Sequence, residues 1–152
     1  MKKSLYYILQ WTWGLPLNII GALAFIVCGA INLWSSCIYN KTVFRIYRYR
    51  KAICIVAPKS FGGIDLGMFF VRGKYDENVC AHEYGHSIQN IQWGWLFIFV
   101  IGLPSLLRAA WRMFYRRFIY NKTRKKLSDY YSIWFEKQAS LYGEKAQNSS
   151  WL

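Results

Sequence analysis

The sequence predicts a mainly α-helical membrane protein that carries a small antiparallel β-hairpin, an α+β arrangement. Of its 152 residues, 55% are hydrophobic and 18% are charged, and so small a chain cannot bury that much apolar surface in its own core. Residues 15–34 contain no charged side chain, and a run of about 20 apolar residues is long enough to cross a bilayer as a helix. Two later segments rich in β-branched and aromatic residues, separated by a turn, predict the hairpin.

Residues 1–40 are predicted to form an N-terminal membrane anchor, whose span covers residues 15–34. Aromatic residues typical of membrane interfaces flank this span: Trp11, Trp13, Trp34 and Tyr39. A secretory signal peptide is the alternative, because Lys2 and Lys3 precede the apolar run. The run is longer than the usual apolar core of a signal peptide, and no A-x-A-like cleavage site follows it, which favours a retained anchor.

The hairpin is predicted within residues 44–72. Residues 44–57 first alternate basic with apolar side chains and then become continuously apolar, which is typical of a strand. A turn follows at Pro58, Gly62 and Gly63. Residues 64–72 are predicted to form the second strand.

Two helices are predicted from their end signals. The first begins after Asp76, a good N-cap residue, and ends near Gln92. The second covers residues 129–142, with Ser128 as its N-cap and Gly143 as a left-handed C-cap.

The segment between these helices has two parts. Residues 93–107 are apolar but too short for a comfortable span, and Gly102 and Pro104 interrupt them. Residues 108–120 carry arginines four residues apart with apolar residues between them. That pattern predicts an amphipathic helix with a basic face, which lies along the membrane interface.

The charge of the chain predicts an anionic partner. Twenty lysines and arginines stand against seven acids, a net charge of +13. A bilayer with anionic headgroups and nucleic acid would both attract such a chain, and the apolar runs favour the bilayer over nucleic acid. Because basic segments tend to stay in the cytoplasm, residues 41–74 and those after Arg108 are predicted to lie on the cytoplasmic side of the cell membrane.

The only two histidines of the chain lie in one H-E-x-x-H motif, His82-Glu83-Tyr84-Gly85-His86. Residues four apart share one face of a helix, so His82 and His86 can bind a single zinc ion. Glu83 is placed to reach the metal-bound water, the position of a general base. A chance match is the alternative, but a polar trio is costly to bury in so apolar a protein. The motif therefore predicts a Zn²⁺ site.

A zinc ion on two histidines needs a third protein ligand. Besides Glu83, the acids of the chain are Asp65, Asp76, Glu77, Asp129, Glu136 and Glu144. We favour Glu136, because it is predicted to lie within a helix whose same face carries small residues that let another helix approach closely. A solvated helix carboxylate is the alternative role for Glu136.

The combination of H-E-x-x-H on one helix with Glu-x-x-Ala, here Glu136 to Ala139, on a later helix resembles the gluzincin metallopeptidases. It is most similar to their integral-membrane branch, which includes the CAAX prenyl protease type and the heat-shock membrane protease type. The context HEYGHSIQ, followed by IGLPS and YYSIWFEKQA, also resembles a group of small bacterial membrane proteins. The resemblance covers residues 62–143. It implies a minimal zincin-like core, zinc on His82, His86 and Glu136, and Glu83 as the catalytic acid and base.

Ser140 departs from this family pattern. The families usually place an aspartate four residues after the ligand glutamate, where it orients a zinc-bound histidine. A serine hydroxyl can accept from an imidazole N–H, but more weakly. An inactive zinc-binding adaptor is therefore one alternative to an active peptidase. A polybasic lipid-binding protein, in which the histidine motif is accidental, is another.

Residues 41–152 are accordingly predicted to be a membrane-associated catalytic domain that hydrolyses peptide bonds. Since Glu136 and the histidines must lie on one side of the membrane, residues 93–107 are predicted to re-enter the bilayer and turn back at Gly102 and Pro104. A peptide or protein substrate is expected to pair with one strand, formed by Ile64, Asp65, Leu66, Gly67, Met68 and Phe69. The oxyanion partner stays open among four residues: Tyr130, Tyr131, Tyr142 and Arg124.

Overall fold

A computed structural model describes residues 2–58, 62–73, 76–120 and 125–148. Within these residues, two helices come first, four short strands follow, and three α-helices come last. In chain order the elements are α1 (Lys3–Trp11), α2 (Leu15–Tyr39), β1 (Arg45–Tyr49), β2 (Ala52–Val56), β3 (Gly63–Leu66), β4 (Phe69–Arg72), α3 (Glu77–Trp93), α4 (Leu103–Phe114) and α5 (Trp134–Asn148). The mainly α class with some β structure is confirmed.

The sheet has four strands in the order β1-β2-β4-β3 and is mixed, so the prediction of a single antiparallel hairpin is wrong. Each of the two predicted strands folds back on itself as a hairpin, and the two hairpins join through the parallel pair β2 and β4. The first reversal is at Arg50 and Lys51, and Arg50 takes a positive φ of 53°, which a non-glycine residue rarely adopts. The second is at Gly67, with φ 79°, and Met68.

α3 packs against the sheet, and it begins as predicted. The Asp76 side chain accepts hydrogen bonds from the backbone N–H groups of Asn78 and Val79, which confirms this N-cap. The helix ends at Trp93, close to the predicted end, because Gly94 turns the chain with φ 57°. Every residue from 80 to 87 is buried, so the histidine motif lies inside the protein.

α5 differs from the predicted last helix at both ends. Asp129 caps a short 3₁₀ turn (Tyr130–Ser132), and the helix begins after it, at Trp134. Gly143 is not a C-cap, because it lies buried within the helix. A Cβ at this position would collide with the backbone carbonyl of Ala81 on α3. A glycine at this position therefore allows close packing of two helices rather than a helix end.

The chain stays helical from Ile98 to Ile119, so the reversal predicted at Gly102 and Pro104 is wrong. A π turn (Ile98–Gly102) precedes α4, and in it the Leu103 N–H donates to the Ile98 carbonyl, five residues back. This wider turn lets the helix continue past a proline, which lacks an N–H for the ordinary bond. Whether part of the segment re-enters a bilayer stays a prediction.

Two helices are long and apolar enough to cross a membrane, Leu15–Tyr39 and Ile98–Ile119. In the most apolar 18-residue stretch of each helix, only 22% and 6% of the residues, respectively, are buried, far less than in the core helix of a soluble protein. One side of α2 packs on the body along its length, at Leu17, Gly21, Cys28 and Ser35. Its other side exposes large apolar residues to the surroundings, among them Ile19, Leu23, Ile26 and Trp34.

A buried polar network ties the first two helices to α3. The Asn18 side chain accepts from the Met68 N–H at 2.6 Å and donates to the Gln10 side chain at 2.7 Å. Gln10 in turn accepts from Asn90 at 2.7 Å and donates to the backbone of Ser87 at 2.9 Å. The N-terminal segment is thus fixed against the back of the helix that carries the motif.

Candidate metal centre

His82, His86 and Glu136 are brought together between α3 and α5. Oε2 of Glu136 lies 3.0 Å from Nε2 of His82 and 3.3 Å from Nε2 of His86. Ligand atoms about 2.0–2.1 Å from a tetrahedral zinc lie roughly 3.3 Å apart, so both distances fit a shared ion. The donor atoms of the three residues all lie within 4.8 Å of one another. The predicted group could therefore hold a metal ion.

Close packing of α5 on α3 places Glu136 next to the two histidines. Gly85, inside the motif, faces the backbone carbonyl of Ala139, and a Cβ at Gly85 would collide with it. The side chain of Glu136, three residues before Ala139, is fully buried. Burial would raise the pKa of Glu136, but hydrogen bonds from both histidines and from Ser105 lower it well below its ordinary value. The carboxylate is therefore ionised.

Ser140 lies beside His82, where the family pattern predicts the orienting residue. Its Oγ is 2.9 Å from Nδ1 of His82 and donates its own proton to the backbone carbonyl of Glu136 at 3.2 Å. Ser140 therefore contacts the Nδ1 edge of this imidazole and directs Nε2 toward the cluster.

Gln89 orients His86 in the same way, and sequence reasoning missed it. Oε1 of Gln89 is 2.7 Å from Nδ1 of His86, while its Nε2 donates to the Phe135 carbonyl at 2.8 Å. The Phe135 carbonyl can only accept a hydrogen bond, so the Gln89 amide nitrogen must face it and the amide oxygen must face His86. Nδ1 of His86 is therefore the donor. The available signal was the spacing, because Gln89 stands one helical turn after His86.

The convergence of these donor atoms favours a cation. Nε2 of His82 and Nε2 of His86 lie 3.0 and 3.3 Å from one oxygen of the ionised Glu136. Three electron-rich atoms this close repel one another unless a proton or a metal ion lies between them. In the metal-free protein a proton shared with His86 fills this role.

Ser105 and Tyr130 hold the second oxygen of Glu136, and neither was predicted to do so. Ser105 donates to Oε1 of Glu136 at 2.5 Å and accepts from the Tyr130 hydroxyl at 2.7 Å. Ser105 belongs to α4, so the second apolar helix contributes directly to the site. No periodic signal in the sequence joins residues 105, 130 and 136, because their contact is purely tertiary.

Glu83 is buried on the sheet side of the cluster. Its carboxylate packs against Gly63 at the start of β3, where a side chain would collide with it. Burial raises the pKa of Glu83 above its ordinary value; the charges of His86 and His82 oppose this shift, and that of Glu136 adds to it. A carboxylate with a raised pKa is a stronger base, which suits proton transfer.

The predicted substrate strand is only partly a strand. β3 (Gly63–Leu66) is an edge strand, and Ile64 is half exposed. Gly67 and Met68 form the turn, and Phe69 belongs to the central strand β4 and is buried, so these three cannot pair with a substrate. The prediction joins them to β3 because the two-residue turn at Gly67 and Met68 has no clear signature in an otherwise strand-like sequence.

Asp65 lies on the α3 side of this edge strand. Burial and the nearby carboxylate of Glu83 raise its pKa well above the ordinary value, while His86 opposes the shift. Its Oδ1 is buried and has no hydrogen-bond partner among the described residues. The site therefore contains more acidic groups than the motif alone indicates.

The four oxyanion candidates occupy different places. The Tyr130 hydroxyl already donates its proton to Ser105, whereas the Tyr142 hydroxyl accepts from Gln92, and Arg124 lies outside the described residues. The Tyr131 ring packs edge-on to His82 at 5.0 Å and lines a cleft of about 260 Å³. This cleft is lined by Asn78, Val79, Ala81, His82, Tyr131, Ser140, Glu144 and Gln147.

Comparison with known proteins adds no relative. No family model, no curated protein and no solved structure matches this chain. The resemblance to gluzincins therefore stays a prediction, and the function has to be argued from the geometry of the site.

Metal binding is expected to release a proton at neutral pH. Burial alone would lower the pKa of His86, but its hydrogen bond to Glu136 and the charges of Glu83, Glu136 and Asp65 raise it to about 9. The metal-free imidazole is therefore protonated at pH 7, and a metal binds only the neutral form. Zinc affinity should rise about tenfold per pH unit from pH 7 to pH 9 and level off above.

Calorimetric zinc titration in two buffers of different ionisation enthalpy measures this release. His86 should contribute about one proton per bound zinc at pH 7 and almost none at pH 10, and ionisation of a zinc-bound water, whose pKa is about 7, adds to both. An affinity that does not change between pH 7 and pH 9 would contradict a protonated His86.

Proposed function

We propose that this protein is a membrane-associated zinc metallopeptidase with zinc on His82, His86 and Glu136. The observation that carries the proposal is the convergence of two histidine Nε2 atoms with one carboxylate oxygen, at 3.0 and 3.3 Å. Three ligands of this type leave one position of a tetrahedral zinc open for water, the arrangement of a catalytic rather than a structural site. Glu83 next to the first histidine supplies the base that such a site needs.

In the proposed reaction, zinc would supply a Lewis acid for the peptide carbonyl and for a water molecule. Glu83 takes the proton of that water and delivers it to the leaving amine. Ser140 and Gln89 hold the imidazoles so that each Nε2 points inward. The Tyr131 hydroxyl, at the cleft next to His82, stabilises the negative charge that develops on the carbonyl oxygen.

We further propose that the protein is integral to the cell membrane, with the site on the cytoplasmic side. Support comes from the large apolar residues exposed along α2 and Ile98–Ile119, since extended exposed apolar surface is typical of contact with a membrane or another protein. The basic residues of 41–51 and of 108–126 favour the cytoplasmic side by charge. A peptide or protein substrate would reach the site along the free edge of β3.

Metal content and metal-dependent cleavage test the function. Detergent-purified protein should hold about one zinc per chain, and His82→Ala and Glu136→Ala should hold none. Glu144→Ala is the matched control, because Glu144 is an exposed carboxylate on the same helix as Glu136, and this variant should keep the zinc. Cleavage of an unfolded protein such as casein should stop when zinc is chelated and resume when zinc is restored.

Two outcomes would contradict the proposal. Wild-type protein without bound zinc under saturating conditions would eliminate the metal centre. Zinc-loaded protein that cleaves neither itself nor any peptide library would favour the inactive adaptor over the peptidase.

A further inference from the structure

A second cleft, which shares no lining residue with the cleft beside His82, lies between the end of the Ile98–Ile119 helix and the segment that precedes the 3₁₀ turn. It measures about 520 Å³, within the size range of small-ligand sites. Its lining residues are Arg112, Tyr115, Arg116, Tyr120, Lys126 and Leu127. Three of these six residues are basic and none is acidic, so the cleft is suited to an anion.

Fixed contacts hold the two walls of this basic cleft together. The Tyr115 hydroxyl donates to the Lys125 carbonyl at 3.0 Å, and Arg112 donates to the Ser128 carbonyl at 2.5 Å. Arg112 also lies over the Tyr130 ring, 5.8 Å from its centroid. Arg112 therefore forms part of the cleft wall and does not belong to a basic helix face that is simply directed at lipid.

The other two basic residues of the cleft are uncommitted. Arg116 and Lys126 have no hydrogen-bond or ion-pair partner among the residues that the structure describes, and both are exposed. A π turn (Tyr115–Ile119) ends next to them, with the Tyr120 N–H donating to the Tyr115 carbonyl. Since a π turn takes more residues than an α turn, it keeps Arg112, Arg116 and Tyr120 near one face of the helix.

Apolar residues next to the cleft indicate the source of the anion. Trp111, Phe114 and Phe118 form a ladder of rings on the same helix, with centroids 5.8 and 5.0 Å apart. They are about half exposed, and Met113 beside them is 68% exposed. An exposed aromatic ladder beside a basic cleft matches the two parts of a phospholipid, its acyl chains and its phosphate.

We propose that the basic cleft binds the phosphate group of an anionic phospholipid, with Arg116 and Lys126 as the ligand-binding charges. The guanidinium of Arg116 donates two hydrogen bonds to phosphate oxygens, and the Lys126 ammonium adds a point charge. The acyl chains lie against Trp111, Phe114 and Phe118. Its occupancy does not require peptidase activity, because none of its lining residues is one of the predicted metal ligands.

Lipid binding to the detergent-solubilised full-length protein tests the site, with native mass spectrometry as the readout. At about 0.15 M salt, where general charge attraction is screened, phosphatidylglycerol should bind at least about tenfold more tightly than phosphatidylcholine. Arg116→Gln and Lys126→Gln should each weaken phosphatidylglycerol binding by about fivefold or more. Arg117→Gln is the matched control, because Arg117 is the next residue on the helix, is exposed, and does not line the cleft.

Three results would overturn the proposal. Equal losses in Arg116→Gln and Arg117→Gln would mean that net charge, not the cleft, attracts the lipid. Equal binding of phosphatidylcholine would mean that the acyl chains alone bind. Displacement of phosphatidylglycerol by an equal concentration of inorganic phosphate would assign the cleft to a soluble phosphate instead of a lipid.

Discussion

Replacement of Glu83 by Gln is expected to leave the zinc content at about one per chain and to lower the rate of peptide cleavage by about 10²- to 10⁴-fold. The amide has nearly the shape of the carboxylate and fills the same space against Gly63, but it cannot accept a proton from water. Glu83 is not among the three residues whose donor atoms converge, so the metal should stay. Zinc content and single-turnover cleavage on the same preparation measure both effects.

Glu77→Gln is the matched control for this variant. Glu77 lies on the same helix, in its exposed first turn, and its replacement should change cleavage less than about twofold. If Glu83→Gln cleaves as fast as wild type, another group is the base, and Asp65, with its buried unpartnered oxygen, becomes the next candidate. If Glu83→Gln loses zinc, Glu83 is a ligand of the metal rather than the general base.

Replacement of Gly85 by Ala is expected to destabilise the protein by about 1–3 kcal/mol or more and to weaken zinc binding strongly. The new Cβ would meet the backbone carbonyl of Ala139, which cannot rotate away as a side chain could. α5 must therefore move off α3, and Glu136 moves with it, away from both histidines. Thermal unfolding of the metal-free protein and the zinc dissociation constant are the two measurements.

Gly29→Ala controls for the helix propensity of alanine. Gly29 also lies inside a helix, but a Cβ there meets nothing within 4 Å, so this change should be neutral or stabilising by up to about 1 kcal/mol. Gly143→Ala should resemble Gly85→Ala, because its Cβ would meet the Ala81 carbonyl. Wild-type stability and zinc affinity in Gly85→Ala would refute the close packing that positions Glu136.

The sequence predicts correctly those features that depend on side chains close to one another along the chain. The Asp76 cap and the course of α3 follow from side chains within a few residues of one another, and the structure confirms both. The pair His82 and His86 follows from helical spacing alone. Glu136 could be selected because the chain has only seven acids and most of the others stand at helix ends or on a strand.

The role of a glycine is not evident from the sequence, because glycine can end a helix, form a turn or allow two helices to pack closely. Gly143 has the sequence signature of a helix end, yet it is buried in mid-helix, where a neighbouring backbone leaves no room for a side chain. Gly102 and Pro104 suggest a reversal, yet one π turn absorbs the proline. In each case the deciding partner is distant in the sequence or depends on an uncommon hydrogen-bond pattern.

By itself, the sequence determined that this protein is apolar, basic and equipped with one zinc-type histidine motif, since composition and i, i+4 spacing are properties of the chain alone. Only the tertiary structure decided that Ser140 and Gln89 orient the imidazoles of the histidines and that Ser105 holds Glu136. The physical reason is that a hydrogen bond between side chains on different elements depends on how closely the elements pack. Here that distance is set by two glycines, Gly85 and Gly143, at which the helices touch backbone to backbone.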